Sequence, residues 1–142
     1  KSGMDSKFDT YVNRKIKNSY DIEHILADHY NRHINDFENK QAFDDCRNMF
    51  GDLLLLPKDK NRSYNDMEYD QKVIQYMSDN LLCRSLNSSC YDNHPNFKRF
   101  IKDYDINFKS YSDFSKESIK ERQNLYKQIC MLIWDQNLLE RI

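Results

Sequence analysis

The sequence predicts a mostly helical α+β fold in which two short antiparallel strands are surrounded by helices. Only two glycines and two prolines occur among 142 residues, so few positions interrupt helical segments. Apolar residues recur at helical spacing in several segments, whereas two short runs have the length and flanks of strands. Because two short strands cannot form a core alone, we expect the helices to supply it.

The first half of the chain predicts helix, strand and helix in that order. Residues 5–18 carry apolar side chains at helical spacing, which predicts an amphipathic helix. Residues 20–26 predict a short strand, and the following polar residues 27–37 show no regular pattern. Residues 38–49 predict a second helix that ends at Gly51, because glycine is a favourable residue just beyond a helix.

The second half predicts one more strand and then only helices. The fully apolar run 53–56 is short and is closed by a proline, which favours a buried strand. A polar connector follows, for which a turn or a short helix are the alternatives, and residues 66–79 predict a helix. Its inward positions are predicted to be Met67, Val73, Ile74 and Met77. A short helix near residues 97–101 and a long helix capped by Ser115 complete the prediction.

Composition limits the class of protein. Hydrophobic residues make up 39% and charged residues 32% of the chain, and no apolar run approaches the ~20 residues of a membrane span. We expect one domain over residues 1–142, excised from a larger cytoplasmic protein, and we expect no membrane partner. The four cysteines show no CxxC spacing, which favours free thiols.

An adjacent carboxylate and imidazole, Glu23 and His24, stand inside the first predicted strand. Such groups are costly to bury unless they are paired or bound to metal. If the two strands pair antiparallel, the turn after the second strand can bring Asn61 near this pair. Oxygen ligands suit Mg²⁺, Mn²⁺ or Ca²⁺, and a neutral imidazole beside such an ion can deprotonate water. Taken alone, however, the pair is more typical of a surface turn with an incidental ion pair.

Two stretches, "DIEHI" and "GDLLLLPKDKNRSYND", resemble the two halves of the HNH nuclease motif, whose fold is called ββα-metal. With the final stretch "SKESIKERQNLYKQICMLIW", they resemble in particular the C-terminal nuclease domain of GmrSD-like type IV restriction enzymes. The resemblance implies a DNA endonuclease that requires Mg²⁺ or Mn²⁺ and serves as the effector of a modification-dependent restriction or phage-defence system. It also implies DNA as the partner, with a fused or associated recognition or NTPase domain.

The resemblance implies a role for each matching residue. His24 matches the general base, and Glu23 and Asn61 match the two metal ligands. Asp52 stands where the family has an asparagine that orders the loop and helps to orient the base. Because aspartate adds a negative charge, we expect it to raise the pKa of His24.

Three basic residues near the second half of the motif complete the predicted site. We expect Lys60, Arg62 and Lys72 to hold neighbouring DNA phosphates. Asp52 and Ala27 depart from the family's usual asparagine and proline. Because of these two departures, a degenerate HNH-like module that binds DNA or a protein partner without cutting is an alternative. A helical interaction domain with no catalytic site is a third alternative.

Overall fold

The computed structural model describes residues 11–92 and 94–135, and it confirms a mostly helical α+β fold. Two strands, β1 (Tyr20–His24) and β2 (Leu53–Pro57), pair antiparallel. The helices are α1 (Lys40–Arg47), α2 (Lys58–Tyr64), α3 (Tyr69–Gln75), α4 (Leu81–Arg84), α5 (Pro95–Tyr104) and α6 (Lys116–Ile133). Short 3₁₀ turns lie at Tyr30–Arg32, Phe50–Asp52, Tyr76–Ser78 and Ser88–Tyr91.

The predicted strands are both present, although β1 ends at His24 instead of residue 26. The predicted helix over residues 5–18 lies partly outside the described residues, which begin at residue 11. Of its described part, only residues 11 and 12 are helical. The helix α1 begins where the Asn39 side chain accepts a hydrogen bond from the Ala42 amide.

The helix α3 is shorter than predicted; Met67 and Val73 pack against the core as predicted, but Ile74 does not. It is followed by a 3₁₀ turn, so the predicted helix over residues 66–79 is broken into two pieces. Ile74, predicted to face the core, is 66% exposed, whereas Lys72 is 1% exposed. Tyr76 is fully buried just beyond the helix. The prediction of Ile74 as a core residue is therefore wrong.

The two strands present two different faces, because successive side chains of a strand point to opposite sides. The buried face consists of Glu23, Leu54 and Leu56, all nearly inaccessible to solvent. The open face consists of Ile22, His24, Leu53 and Leu55, which are half-buried or exposed. The core lies on the buried face and includes Phe43, Tyr76, Leu86 and Ile119.

Side-chain donors satisfy the outward carbonyl groups of β1. The Asn61 amide nitrogen, from α2, donates to the carbonyl oxygen of Ile22 at 2.9 Å. The Lys72 ammonium, from α3, donates to the carbonyl oxygen of His24 at 2.7 Å. A two-stranded sheet leaves such groups unpaired along both edges, and these contacts fix the helices against β1.

The other edge of the sheet is closed in the same way. The Asn80 amide nitrogen donates to the carbonyl oxygen of Leu55 at 2.8 Å. The Tyr126 hydroxyl, from α6, donates to the carbonyl oxygen of Leu53 at 2.8 Å. Four side chains from four parts of the chain therefore stabilise a sheet that would be marginal by itself.

The helix α6 begins with Ser115 as its N-cap, in a capping box with Ser118, as the sequence predicted for its start. It packs on the turn before β2, where a Cβ added to Gly51 would collide with the carbonyl oxygen of Ile119. This close approach, and not a helix end, explains the glycine. The Arg122 guanidinium also donates to the Gly51 carbonyl oxygen at 3.0 Å. No helix in the described part of the chain is long and apolar enough to span a membrane.

Candidate active site

Glu23 lies on the buried face, where its carboxylate is 2% exposed and engaged by two donors. The Lys72 ammonium lies 2.8 Å from Glu23 Oε1, and the Tyr76 hydroxyl donates to the same oxygen at 2.8 Å. Burial raises the pKa of Tyr76 well above its usual value, and the negative charge of Glu23 raises it further. The hydroxyl therefore stays protonated and acts as a donor. One oxygen of the carboxylate thus interacts with both an ammonium and a hydroxyl of the protein.

Lys72 is the largest departure from the predicted site. We expected its ammonium at the surface, in contact with DNA, but it is buried between the Glu23 carboxylate and the His24 carbonyl oxygen. A buried and paired ammonium does not reach a phosphate in solvent. The DNA contact expected of Lys72 is corrected accordingly, and the residue belongs to the interior of the site.

His24 lies at the end of β1 on the open face and is half-buried. Burial lowers the pKa of its imidazole, the positive charge of Arg47 lowers it further, and a hydrogen bond with Asn48 opposes the shift. We expected Asp52 to raise this pKa, and the net direction is the opposite. At neutral pH the imidazole is therefore neutral, which is the form that accepts a proton.

Asp52 is fully buried in the turn before β2 and holds the chain just after His24. Its Oδ1 accepts a hydrogen bond from the Leu26 amide at 3.0 Å, and its carbonyl oxygen accepts one from the Ile25 amide at 2.9 Å. Its Oδ2 has no hydrogen-bond partner among the described residues. Burial raises the pKa of this carboxyl group well above its usual value. These contacts fit the loop-ordering role that the resemblance implies.

Arg47 is a residue of the site that the sequence did not indicate. From the last turn of α1, its Nε donates to the Leu26 carbonyl oxygen at 3.0 Å, and its guanidinium lies 3.7 Å from Asp28. It therefore fixes the segment after His24 and also lowers the imidazole pKa. An arginine near a helix end is common in any sequence, and only the fold brings it to His24.

Asn61 lies on α2 beside β1, where its amide nitrogen donates to the carbonyl oxygen of Ile22. The predicted ligands Glu23 and Asn61 do not form a cation site in this arrangement, because Lys72 already neutralises the carboxylate. Within residues 11–92 and 94–135, no group of three or more His, Cys, Asp or Glu side chains is placed to hold a metal.

The remaining basic residues differ in their availability for DNA. The Lys60 ammonium lies 2.6 Å from the carboxylate of Asp79, which is buried, and also donates to Ser78. Arg62 is exposed on α2. Of the three basic residues predicted to hold phosphates, Arg62 is the one with an exposed side chain.

One comparison with known proteins gives a match. The profile of a family described as "GmrSD restriction endonucleases, C-terminal domain" matches residues 4–129. This range includes both strands, α2, α3 and most of α6. No curated protein and no solved structure matches the chain.

Proposed function

Because the chain belongs to the family of C-terminal domains of GmrSD restriction endonucleases, we propose that it hydrolyses DNA phosphodiester bonds with His24 as the general base. The family supports a restriction nuclease module. The observation that best supports His24 is its half-buried imidazole with a lowered pKa, at the end of the first motif strand. A base of this kind is neutral and ready to accept a proton at neutral pH.

The proposed reaction uses the groups around His24. A ring nitrogen of His24 takes a proton from a water molecule whose oxygen attacks phosphorus. The P–O3′ bond breaks, and the leaving oxygen takes a proton from solvent to give a 3′-hydroxyl. Arg47 and Asp52 hold the segment that follows His24 and so keep the imidazole in place. The exposed Arg62 contributes a phosphate contact.

We also propose that the activity depends on Mg²⁺ or Mn²⁺, as the sequence resemblance implies. The Glu23–Asn61 pair does not fit such an ion in the arrangement described above. The Lys72 ammonium already forms an ion pair with the Glu23 carboxylate. Cleavage with and without a chelator tests metal dependence by itself, whichever groups hold the ion.

We propose further that this domain acts within a cytoplasmic restriction or phage-defence system in which another domain or partner selects the DNA. The chain has 22 Lys and Arg against 23 Asp and Glu, so its net field scarcely attracts DNA. Affinity for DNA of any sequence comes mostly from neutralised phosphates. We therefore expect weak, salt-sensitive and sequence-indifferent binding by this domain.

The test is a nicking assay on supercoiled plasmid with Mg²⁺ or Mn²⁺, beside the same assay in EDTA. The parent should nick, His24→Ala should lose about 10²-fold or more in rate, and EDTA should stop the reaction. His29→Ala is the matched control, because His29 is also half-buried but pairs with Asp66 away from the strand end. Equal cutting by His24→Ala and the parent would refute the assigned base. DNA binding by a folded parent that never cuts would favour the degenerate module.

A further inference from the structure

The cluster of Glu23, Lys72 and Tyr76 has no part in the reaction proposed above, although it adjoins the general base. All three side chains are at most 2% exposed. One oxygen, Glu23 Oε1, receives both the Lys72 ammonium and the Tyr76 hydroxyl at 2.8 Å. The same ammonium reaches the His24 carbonyl oxygen at 2.7 Å.

A buried carboxylate needs a compensating charge, and Lys72 supplies it from within the chain. A divalent ion at the same oxygen would have to displace an ammonium that is 1% exposed. The displaced ammonium would then be buried without its counter-ion, which is strongly unfavourable. A fixed cation on a packed helix therefore competes well against an ion from solution.

The Lys72 ammonium also determines the position of the strand end. By holding both the Glu23 side chain and the His24 main chain, it ties the last two residues of β1 to α3. Tyr76, fully buried after α3, holds the carboxylate from the same side. The backbone that carries the imidazole is held at the outer edge of β1, while the imidazole itself lies on the open face.

We propose that Lys72 is the resident cation of the Glu23 carboxylate and a positioning residue for His24. A divalent ion used by this nuclease is bound without the Glu23 carboxylate. The positioning role rests on the proposed function, whereas the pairing of Lys72 with Glu23 does not.

The first experiment is a double-mutant cycle in thermal stability, using Glu23→Gln, Lys72→Met and the two together. Each single change leaves one buried charged group without its counter-ion, so each should lower the melting temperature. The double variant removes both charges and should melt at a higher temperature than Lys72→Met alone. Additive losses would show that the two groups are not coupled and would overturn the pairing.

The second experiment measures the rise in melting temperature caused by Mn²⁺, for the parent and for Glu23→Gln. Glutamine keeps the shape of glutamate and can still accept from Tyr76, but it is a poor ligand for a hard cation. We expect the same Mn²⁺ response in both proteins. A response that is present in the parent and lost in Glu23→Gln would overturn the proposal, because it would make Glu23 a metal ligand.

The third experiment separates positioning from simple destabilisation, below the melting temperature of every variant. Lys72→Met should lower kcat about 10-fold or more, with little change in the Mn²⁺ concentration for half-maximal rate. Lys72→Arg, which keeps a cation, should recover part of the loss. An unchanged kcat in Lys72→Met would overturn the positioning role. If the parent does not nick DNA, the proposed function fails, while the thermal cycle and the Mn²⁺ response still decide the pairing.

Discussion

Two ionisable residues that are adjacent in the sequence, Glu23 and His24, lie in different environments on the two faces of the sheet. On the buried face, Glu23 is enclosed and paired with Lys72. On the open face, His24 is half-buried and its pKa is lowered. Side chains one residue apart on a strand point to opposite sides, so a pair adjacent in sequence need not share one site. The Glu23 carboxylate therefore contributes to the fold, whereas His24 is the proposed general base.

Glu23→Ala should have the largest effect on stability. Removing the carboxylate leaves the Lys72 ammonium buried without its counter-ion, which should lower the free energy of unfolding by about 3–5 kcal/mol. Chemical denaturation measures this change. Asp21→Ala is the matched control, because Asp21 is 44% exposed and 4.0 Å from Arg14, and exposed pairs contribute little. Equal stabilities for the two variants would show that the buried Glu23–Lys72 pair contributes no more to stability than an exposed pair.

His24→Ala should show the reverse pattern. It should reduce the nicking rate about 10²-fold or more, because it removes the proposed base. The free energy of unfolding should change by about 1 kcal/mol or less, since the imidazole is half-buried. Denaturation and nicking of the same preparation measure both quantities. Loss of folding in His24→Ala would mean that the open face is structural too.

The pH profile of the nicking rate sharpens the assignment of His24. Because the folded pKa is lowered from 6.5, the neutral base persists to a more acidic pH than an ordinary histidine allows. The rate on the acid side should therefore reach half its plateau below pH 6.5. The assignment would be contradicted by an acid-side midpoint above pH 6.5 in the parent that moves to lower pH in Asp52→Asn. That result would mean that the Asp52 charge determines the pKa of His24.

Asp52→Asn should stabilise the protein moderately at neutral pH. A buried carboxyl group with a raised pKa favours its protonated form. Its favourable contribution is complete below the unfolded pKa and is lost as pH rises through the folded pKa. Asparagine keeps the acceptor for the Leu26 amide without the charge, so we expect a gain of about 1–2 kcal/mol at pH 7 that disappears in acid. Melting curves at pH 7 and in acid measure this gain, and a loss of stability at pH 7 would show that the Asp52 charge is favourable in the fold.

The smallest predicted effect concerns Arg62 on α2. Arg62→Ala should weaken DNA binding equally for all sequences and reduce the salt dependence by about one phosphate contact. Lys60→Ala should weaken it less, because the Lys60 ammonium is already paired with Asp79. Titrations of labelled duplex at several salt concentrations compare the two. A larger loss in Lys60→Ala would show that the Asp79 pair opens to admit DNA.

Much of the fold could be predicted because its signals are local. The apolar run before Pro57 predicted β2, and Ser115 predicted the start of α6. The order of the three motifs indicated the family that the profile match shows. The four-residue α4 (Leu81–Arg84) was missed, because one helical turn has no periodicity.

The site was harder to predict, because its contacts join distant segments. Helical periodicity in α3 favoured Ile74 as an inward residue, since apolar side chains normally fill the core. The structure instead buries Lys72, whose partner Glu23 lies 49 positions earlier in the sequence. Arg47 meets the segment after His24 for a similar reason, through the packing of α1. No sequence pattern predicts the contact of Lys72 with Glu23 or that of Arg47 with the segment after His24.

The most direct test is a crystal of the parent protein soaked in Mn²⁺, with anomalous scattering used to locate the ion. We predict that Glu23 Oε1 remains in contact with the Lys72 ammonium and the Tyr76 hydroxyl, and that no manganese is coordinated by this carboxylate. A manganese peak at coordination distance from Glu23, with Lys72 displaced from the carboxylate, would contradict it.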